Sequence, residues 1–145
     1  MACYINFSID GRDLMISEDN PYDVKMWKTH HGRHKLKKPR WNQLKLKTNS
    51  KGYKYINITP KKYLLHRVNY YAHYPTWNIY DNSQSNHIDH IDNKGDLPKN
   101  QYNNIENLRV VTQQENHFNR NCKGYYWNKR DQKWLAQIRV NGKQK

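Results

Sequence analysis

The chain has 145 residues, which suits one domain or one small domain with appendages. Only 35% of the residues are hydrophobic and the mean hydropathy is −1.27, which excludes a thick apolar core. Lysine and arginine number 26 against 12 acidic residues, and the resulting net charge of +14 favours a polyanionic partner.

The basic charge is concentrated in one part of the chain. No acidic residue occurs between Val24 and Tyr80, whereas fourteen lysines and arginines do. Nucleic acid is the favoured partner because no long apolar helix accompanies this charge. A solvated basic surface, or a patch that binds a membrane surface, is the alternative.

Cys3 and Cys122 are the only cysteines, too few for a disulfide framework or a Cys-x-x-Cys metal site. The first residues show no basic stretch followed by an apolar core, and no segment approaches the roughly 18–20 apolar residues of a membrane span. The sequence therefore predicts an intracellular protein that is not secreted and has no membrane partner.

The N-terminal residues are predicted to form strands. Apolar residues alternate over 3–16 on either side of Asp10-Gly11, which indicates a hairpin. A polar turn over 17–24 follows, with Asn20-Pro21 as its breaker.

Residues 25–51 form a basic segment with three expected DNA contacts, Lys37, Lys38 and Arg40. Trp41 lies in the same segment, and it either stacks against a base or packs into the core. The alternatives for the segment as a whole are a mobile solvated loop and a nuclear import signal.

The next residues predict a strand followed by a helix. Residues 53–58 alternate and are rich in β-formers, whereas 62–74 carry apolar side chains at helical spacing and end before Pro75. Arg67 lies on this helix. It either sits at the surface of a helix that supports the core or contacts the DNA backbone.

A strand, a loop, a second strand and a helix are predicted beyond a loop at 75–85. The first strand reaches His90, a polar loop spans 92–104, and the second strand spans 105–111. Thr112 and Glu115 fit a capping box, so a helix should begin there. That helix would carry Asn116, His117 and Arg120.

This arrangement resembles the HNH endonucleases, and above all the small homing-type members found in phages, other viruses and introns. The matching residues are His66-Arg67, Asp89-His90-Ile91-Asp92, Asn103-Asn104, Asn107-Leu108-Arg109, Thr112 and Glu115-Asn116. The resemblance implies an α+β fold with a small ββα-metal core, or His-Me finger, and β-rich appendages. The nuclease domain would span 51–120, after a basic β-containing segment at 1–50.

The resemblance also implies roles for particular residues. Asp89 and Asn116 would hold one Mg²⁺ or Mn²⁺ ion, which would neutralise the leaving 3′ oxygen. His90 would be the general base, and Asn107 would orient its imidazole or brace the loop. Family members leave a 5′ phosphate. His117 is a rival metal ligand, since many HNH sites use histidine on this helix.

Several arginines are expected to contact DNA outside the basic segment. Arg67, Arg109 and Arg120 belong to the nuclease domain. Residues 121–145 resemble a truncated AP2-type DNA-binding domain, and the contacts it would supply are Arg130, Trp134, Arg139 and Lys143. A β-ribbon that only stabilises the nuclease is the alternative for this segment.

The sequence thus predicts a metal-dependent DNA endonuclease of the homing type that nicks DNA or cuts both strands. The expected partner is double-stranded DNA, with no small-molecule cofactor, and the expected state is a monomer or weak dimer. One alternative is a DNA-binding protein derived from an HNH nuclease that has lost activity. Another is a structural protein with a merely basic surface.

Overall fold

A computed structural model of the chain describes residues 2–92, 97–118, 125–136, 139–140 and 143–144. Within these ranges the protein is a sheet-rich α+β fold with few helices. The strands before the first helix are β1 (Tyr4–Ile9), β2 (Arg12–Ser17), β3 (Val24–His31), β4 (His34–Gln43), β5 (Lys47–Thr48), β6 (Lys54–Ile58) and β7 (Lys61–Leu64). The later elements are α1 (Leu65–His73), β8 (His87–His90), a 3₁₀ helix (Ile105–Asn107), β9 (Leu108–Val111), α2 (Gln113–Phe118), β10 (Tyr125–Asn128), β11 (Lys133–Ala136), β12 (Arg139–Val140) and β13 (Lys143–Gln144).

The first four strands form an antiparallel sheet in the order β1-β2-β3-β4. The predicted hairpin at Asp10-Gly11 is confirmed, because both residues have positive φ angles (50° and 69°) and the strands pair from Tyr4↔Ser17 to Ile9↔Arg12. The Asp10 carboxylate then accepts a hydrogen bond from the Tyr63 hydroxyl at 2.6 Å. This bond ties the hairpin tip to β7.

The basic segment is a long strand pair rather than a solvated loop. Strands β3 and β4 pair in register from Lys25↔Gln43 to Lys28↔Arg40, which places Trp27 opposite Trp41. The two indole rings meet edge to face with centroids 5.3 Å apart. Trp41 is therefore half-buried against another aromatic ring on the sheet.

One hydrophobic cluster joins this sheet to the following elements. Leu14 and Ile16 from β2 pack with Ile56 from β6 and with Leu65 and Val68 from α1. The cluster crosses the expected boundary at residue 50, so the basic β segment and the start of the expected nuclease domain share a core.

Two predicted element boundaries were wrong. Residues 62–64, at the start of the predicted helix, belong instead to strand β7, which pairs with β6 in the register Tyr55↔Leu64 to Ile58↔Lys61. Residues 105–107 form a 3₁₀ turn in which the main-chain N–H of Asn107 donates to the main-chain carbonyl of Asn104. Strand β9 therefore begins only at Leu108. Helix α1 does end before Pro75, as predicted.

The C-terminal residues form two short strand pairs. Strands β10 and β11 pair antiparallel from Tyr125↔Ala136 to Asn128↔Lys133, and β12 pairs with β13. The likeness of this segment to an AP2-type domain stays a prediction. No helix in the described part of the chain is long and apolar enough to cross a membrane.

Candidate active site

A hairpin followed by a helix carries most of the predicted catalytic and metal-binding residues. Strands β8 and β9 pair antiparallel from His87↔Val111 to His90↔Leu108, and α2 packs against both. The capping box is confirmed, since Glu115 accepts from the Thr112 amide at 2.7 Å and Thr112 Oγ1 accepts from the Glu115 amide at 3.2 Å. Because this box fixes the start of α2, Asn116 lies in the first turns of a helix beside the hairpin.

His90 ends strand β8 and is buried, with 5% of its surface exposed. A chain of hydrogen bonds defines its tautomer. The Tyr22 hydroxyl donates to the Lys99 carbonyl at 2.7 Å and therefore accepts from Asn103 Nδ2 at 3.0 Å. Asn103 Oδ1 is then turned toward His90, whose Nε2 donates to it at 2.9 Å. In the neutral ring the proton is on Nε2 and the basic lone pair is on Nδ1.

Aromatic rings surround the His90 imidazole. Tyr102 stacks on it with ring centroids 4.2 Å apart and planes inclined by 18°, and Tyr53 lies roughly parallel at 6.4 Å. His66 from α1 meets it edge to face at 5.2 Å. Burial among these rings lowers the pKa of His90, although the Asn103 hydrogen bond and the charge of Asp89 act in the opposite direction. His90 is therefore neutral at neutral pH.

His66 is the second buried histidine of this cluster. Burial, with smaller contributions from His90 and Arg67, lowers its pKa to about 3. His66 is therefore neutral at neutral pH. Its role is to pack against His90 without adding positive charge beside it.

Asn107 braces the loop that follows β8. Its Oδ1 accepts from the Asp92 amide at 2.8 Å, and its Nδ2 donates to the Tyr102 carbonyl at 2.9 Å. Its main-chain carbonyl accepts from the Ile91 amide at 2.9 Å. The prediction left open whether Asn107 orients the imidazole or braces the loop, and these contacts correspond to bracing. Asn107 holds the main chain of Tyr102, and the Tyr102 ring stacks on His90. Asn107 therefore helps to position the imidazole through Tyr102.

Asp89 and Arg109 face each other across the hairpin. Asp89 is 5% exposed, and Arg109 Nη2 and Nε lie 3.0 and 3.3 Å from its Oδ2. Because the Asp89 carboxylate is shielded from water, loss of its Arg109 partner would cost more than loss of a partner at the surface. Arg109 was predicted to contact DNA, and here its guanidinium engages the carboxylate that was predicted to hold the cation.

The donor set suits a hard cation. Asp89 supplies a buried carboxylate and Asn116 an amide oxygen, and Mg²⁺ typically takes one or two protein oxygens and keeps several waters. Within the described ranges no three His, Cys, Asp or Glu residues cluster as a metal site. The donor types predicted for the cation are those that Mg²⁺ or Mn²⁺ takes, and the binding of a cation here stays a prediction.

Arg67 is engaged with the main chain. Its guanidinium donates to the carbonyls of Ile79 and Asp81 at 2.9 Å and of Asn86 at 3.1 Å, and it lies 4.7 Å from the centre of the Trp77 ring. These bonds hold the loop before β8 against α1. They give Arg67 a structural role, and its contact with DNA stays a prediction.

The remaining predicted DNA contacts lie on other elements. Lys37, Lys38 and Arg40 are exposed on β4, and Arg130 and Trp134 are exposed on the β10–β11 hairpin. Arg139 lies in β12, and Arg120 falls outside the described residues. The structure thus brings Asp89, His90, Asn107 and Arg109 together on one hairpin and its adjoining loop, and it distributes the other basic residues elsewhere.

Sequence reasoning missed the residues that orient and enclose His90. Tyr22, Tyr53 and Tyr102 received no role, and Asn103 was only part of the matched pattern. Tyr22 is distant in sequence from the residues it meets, so no local pattern identified it. The one available signal was the high tyrosine content of a chain with few aliphatic residues.

Comparisons with known proteins give this chain no relatives. No protein-family model matches it, and neither a curated protein nor a solved structure is detectably similar to it.

Proposed function

We propose that this protein is a metal-dependent DNA endonuclease of the homing type, built on a ββα-metal core formed by β8, β9 and α2. The observation that carries the proposal is the state of His90. It is a buried neutral imidazole whose Nε2 is held by Asn103, and it follows directly after the buried carboxylate of Asp89.

His90 has the properties of a general base. Its Nδ1 carries the lone pair, and its lowered pKa keeps that nitrogen unprotonated at neutral pH. Tyr102 and Asn103 hold the ring in one orientation, so it needs no rearrangement before it accepts a proton from an attacking water. A neutral base of this kind supports hydrolysis of a phosphodiester.

Asp89 and Asn116 would hold the cation. The chemistry that a divalent cation supplies when bound is charge neutralisation at the scissile phosphate and at the leaving oxygen. Before the cation binds, Arg109 neutralises Asp89. If the cation displaced Arg109 from Asp89, the half-exposed Arg109 side chain would become available to bind a phosphate of the substrate.

The charge of the chain supports a DNA substrate. The net charge is +14, and Lys37, Lys38 and Arg40 are exposed on one strand. The expected substrate is double-stranded DNA inside the cell.

An inactive DNA-binding protein is the second candidate, and one observation favours it. Arg109 already forms an ion pair with the carboxylate that the cation would need. If that pair persisted with the cation and DNA present, the protein would bind DNA without cleaving it.

The test is conversion of supercoiled plasmid to open circles by purified protein with Mg²⁺ or Mn²⁺. The proposal predicts nicking that EDTA abolishes and that His90→Ala abolishes. His87→Ala is the matched control on the same strand and should retain activity. Wild-type protein that binds the plasmid but does not nick it with either metal would establish the inactive alternative. Nicking that persists in His90→Ala would remove His90 as the base.

A further inference from the structure

A pocket of about 740 Å³ opens beside His90. We call it the tyrosine pocket, because Tyr22, Tyr53 and Tyr102 line it together with Lys54, Lys99 and Asn103. Its walls come from three parts of the chain: the turn before β3, the start of β6, and the loop before the 3₁₀ helix. The volume lies within the roughly 300–1,000 Å³ of pockets that enclose a small organic ligand.

The lining of the tyrosine pocket selects the chemistry of its occupant. Tyrosine rings offer faces on which a planar group stacks, and the side-chain amide of Asn100, which also lines the pocket, offers both a donor and an acceptor. The two lysines add positive charge, and none of the described lining residues is acidic. A planar group that forms hydrogen bonds at its edge and carries a negative charge matches all three features, and a nucleotide is such a group.

The tyrosine pocket shares residues with the surroundings of His90. Tyr53 and Tyr102 line the pocket and also stack beside the His90 ring, and Asn103 lines it while accepting the His90 Nε2 hydrogen. An occupant of the pocket would therefore lie against the residues that orient the proposed base.

Duplex DNA does not expose a base face to such a pocket. A base reaches it only if the nucleotide leaves the helical stack, which costs least where the nucleotide is already unpaired. Every base can stack on an aromatic side chain. The pocket would therefore distinguish an unstacked nucleotide from a stacked one, and it would depend less on which base the nucleotide carries.

We propose that the tyrosine pocket receives one unstacked nucleotide of the cleaved strand, so that the preferred substrate is duplex DNA with an unpaired nucleotide near the scissile phosphate. The proposal rests on the endonuclease function above and specifies its substrate.

The test compares two short fluorescein-labelled duplexes of one sequence, one fully paired and one with a single bulged nucleotide. Binding is measured by fluorescence anisotropy in EDTA, so that cleavage is blocked. The bulged duplex should bind wild-type protein about tenfold more tightly, which is the scale of one base stacked on an aromatic side chain. Tyr53→Leu should remove most of that preference. Tyr53 is 41% exposed, so this change leaves the core intact.

Tyr74→Leu is the matched control, because Tyr74 is a similarly exposed tyrosine that does not line the pocket. It should keep the wild-type preference. Equal binding of both duplexes by wild-type protein would overturn the proposal, and so would a preference that Tyr53→Leu leaves unchanged. If the protein nicked plasmid but bound both duplexes equally, the endonuclease function would stand and the proposed role of the pocket would be rejected. If the protein preferred the bulged duplex but did not nick plasmid, nucleotide binding in the pocket would stand and the endonuclease function would be rejected.

Discussion

The burial of His66 makes the stability of this protein depend on pH. The pKa of His66 is about 3 in the folded chain, whereas an unfolded histidine titrates near 6.5. Between these values the unfolded chain binds a proton that the folded chain excludes, so stability falls as the pH falls through this range. From the difference between these two pKa values, His66 alone makes the free energy of unfolding about 2 kcal/mol lower at pH 5 than at pH 7.

The assay is urea denaturation of the wild type and of His66→Leu at both pH values. Each protein serves as its own reference, so a general loss of stability in the variant does not affect the comparison. The loss between pH 7 and pH 5 should be about 2 kcal/mol smaller in His66→Leu than in the wild type. His31→Leu, at an exposed histidine, should leave the wild-type loss unchanged. An equal loss in the wild type and His66→Leu would refute the reasoning.

Three further changes test individual contacts. Asn107→Ala should destabilise the fold by about 1–3 kcal/mol in urea denaturation, because it leaves buried main-chain groups of the loop without partners, and an unchanged midpoint would contradict this. Thr112→Ala should cost about 1 kcal/mol in the same assay through loss of the α2 cap, whereas Thr112→Ser should restore most of it. Arg109→Gln should strengthen Mn²⁺ binding, measured by electron paramagnetic resonance without DNA, because it removes the cation that competes for Asp89. Weaker or equal Mn²⁺ binding would mean that Arg109 does not compete.

Local signals in the sequence predicted those elements that short-range interactions determine. Asp10-Gly11 produces a tight turn because both residues tolerate positive φ, and the Thr112–Glu115 box begins a helix because the two residues cap each other. The strand that ends at His90 was also predicted correctly. The turn and the helix cap depend on contacts within a few residues, whereas the strand that ends at His90 also pairs with β9.

The errors occurred where strand pairing or contacts distant in sequence decided the structure. Residues 62–64 fit a helical pattern, but they pair with β6 as part of strand β7. The basic segment, with its charged side chains, allowed a solvated loop as an alternative, yet Trp27 and Trp41 pair across β3 and β4. The bond between Tyr22 and Asn103 joins residues that no local pattern connects. Sequence therefore placed Asp89, His90 and Asn107 close together along adjoining elements, but it did not identify the network that orients His90.

The most direct test of the proposed endonuclease is the single-turnover nicking rate of the wild type and of His90→Ala at pH 7 with saturating Mg²⁺. A positioned general base typically contributes about 100-fold or more to such a step. If His90 accepts the proton of the attacking water, the variant should nick at least about 100-fold more slowly while it binds the plasmid with unchanged affinity. A variant rate within about threefold of the wild-type rate, far below that contribution, would contradict the account.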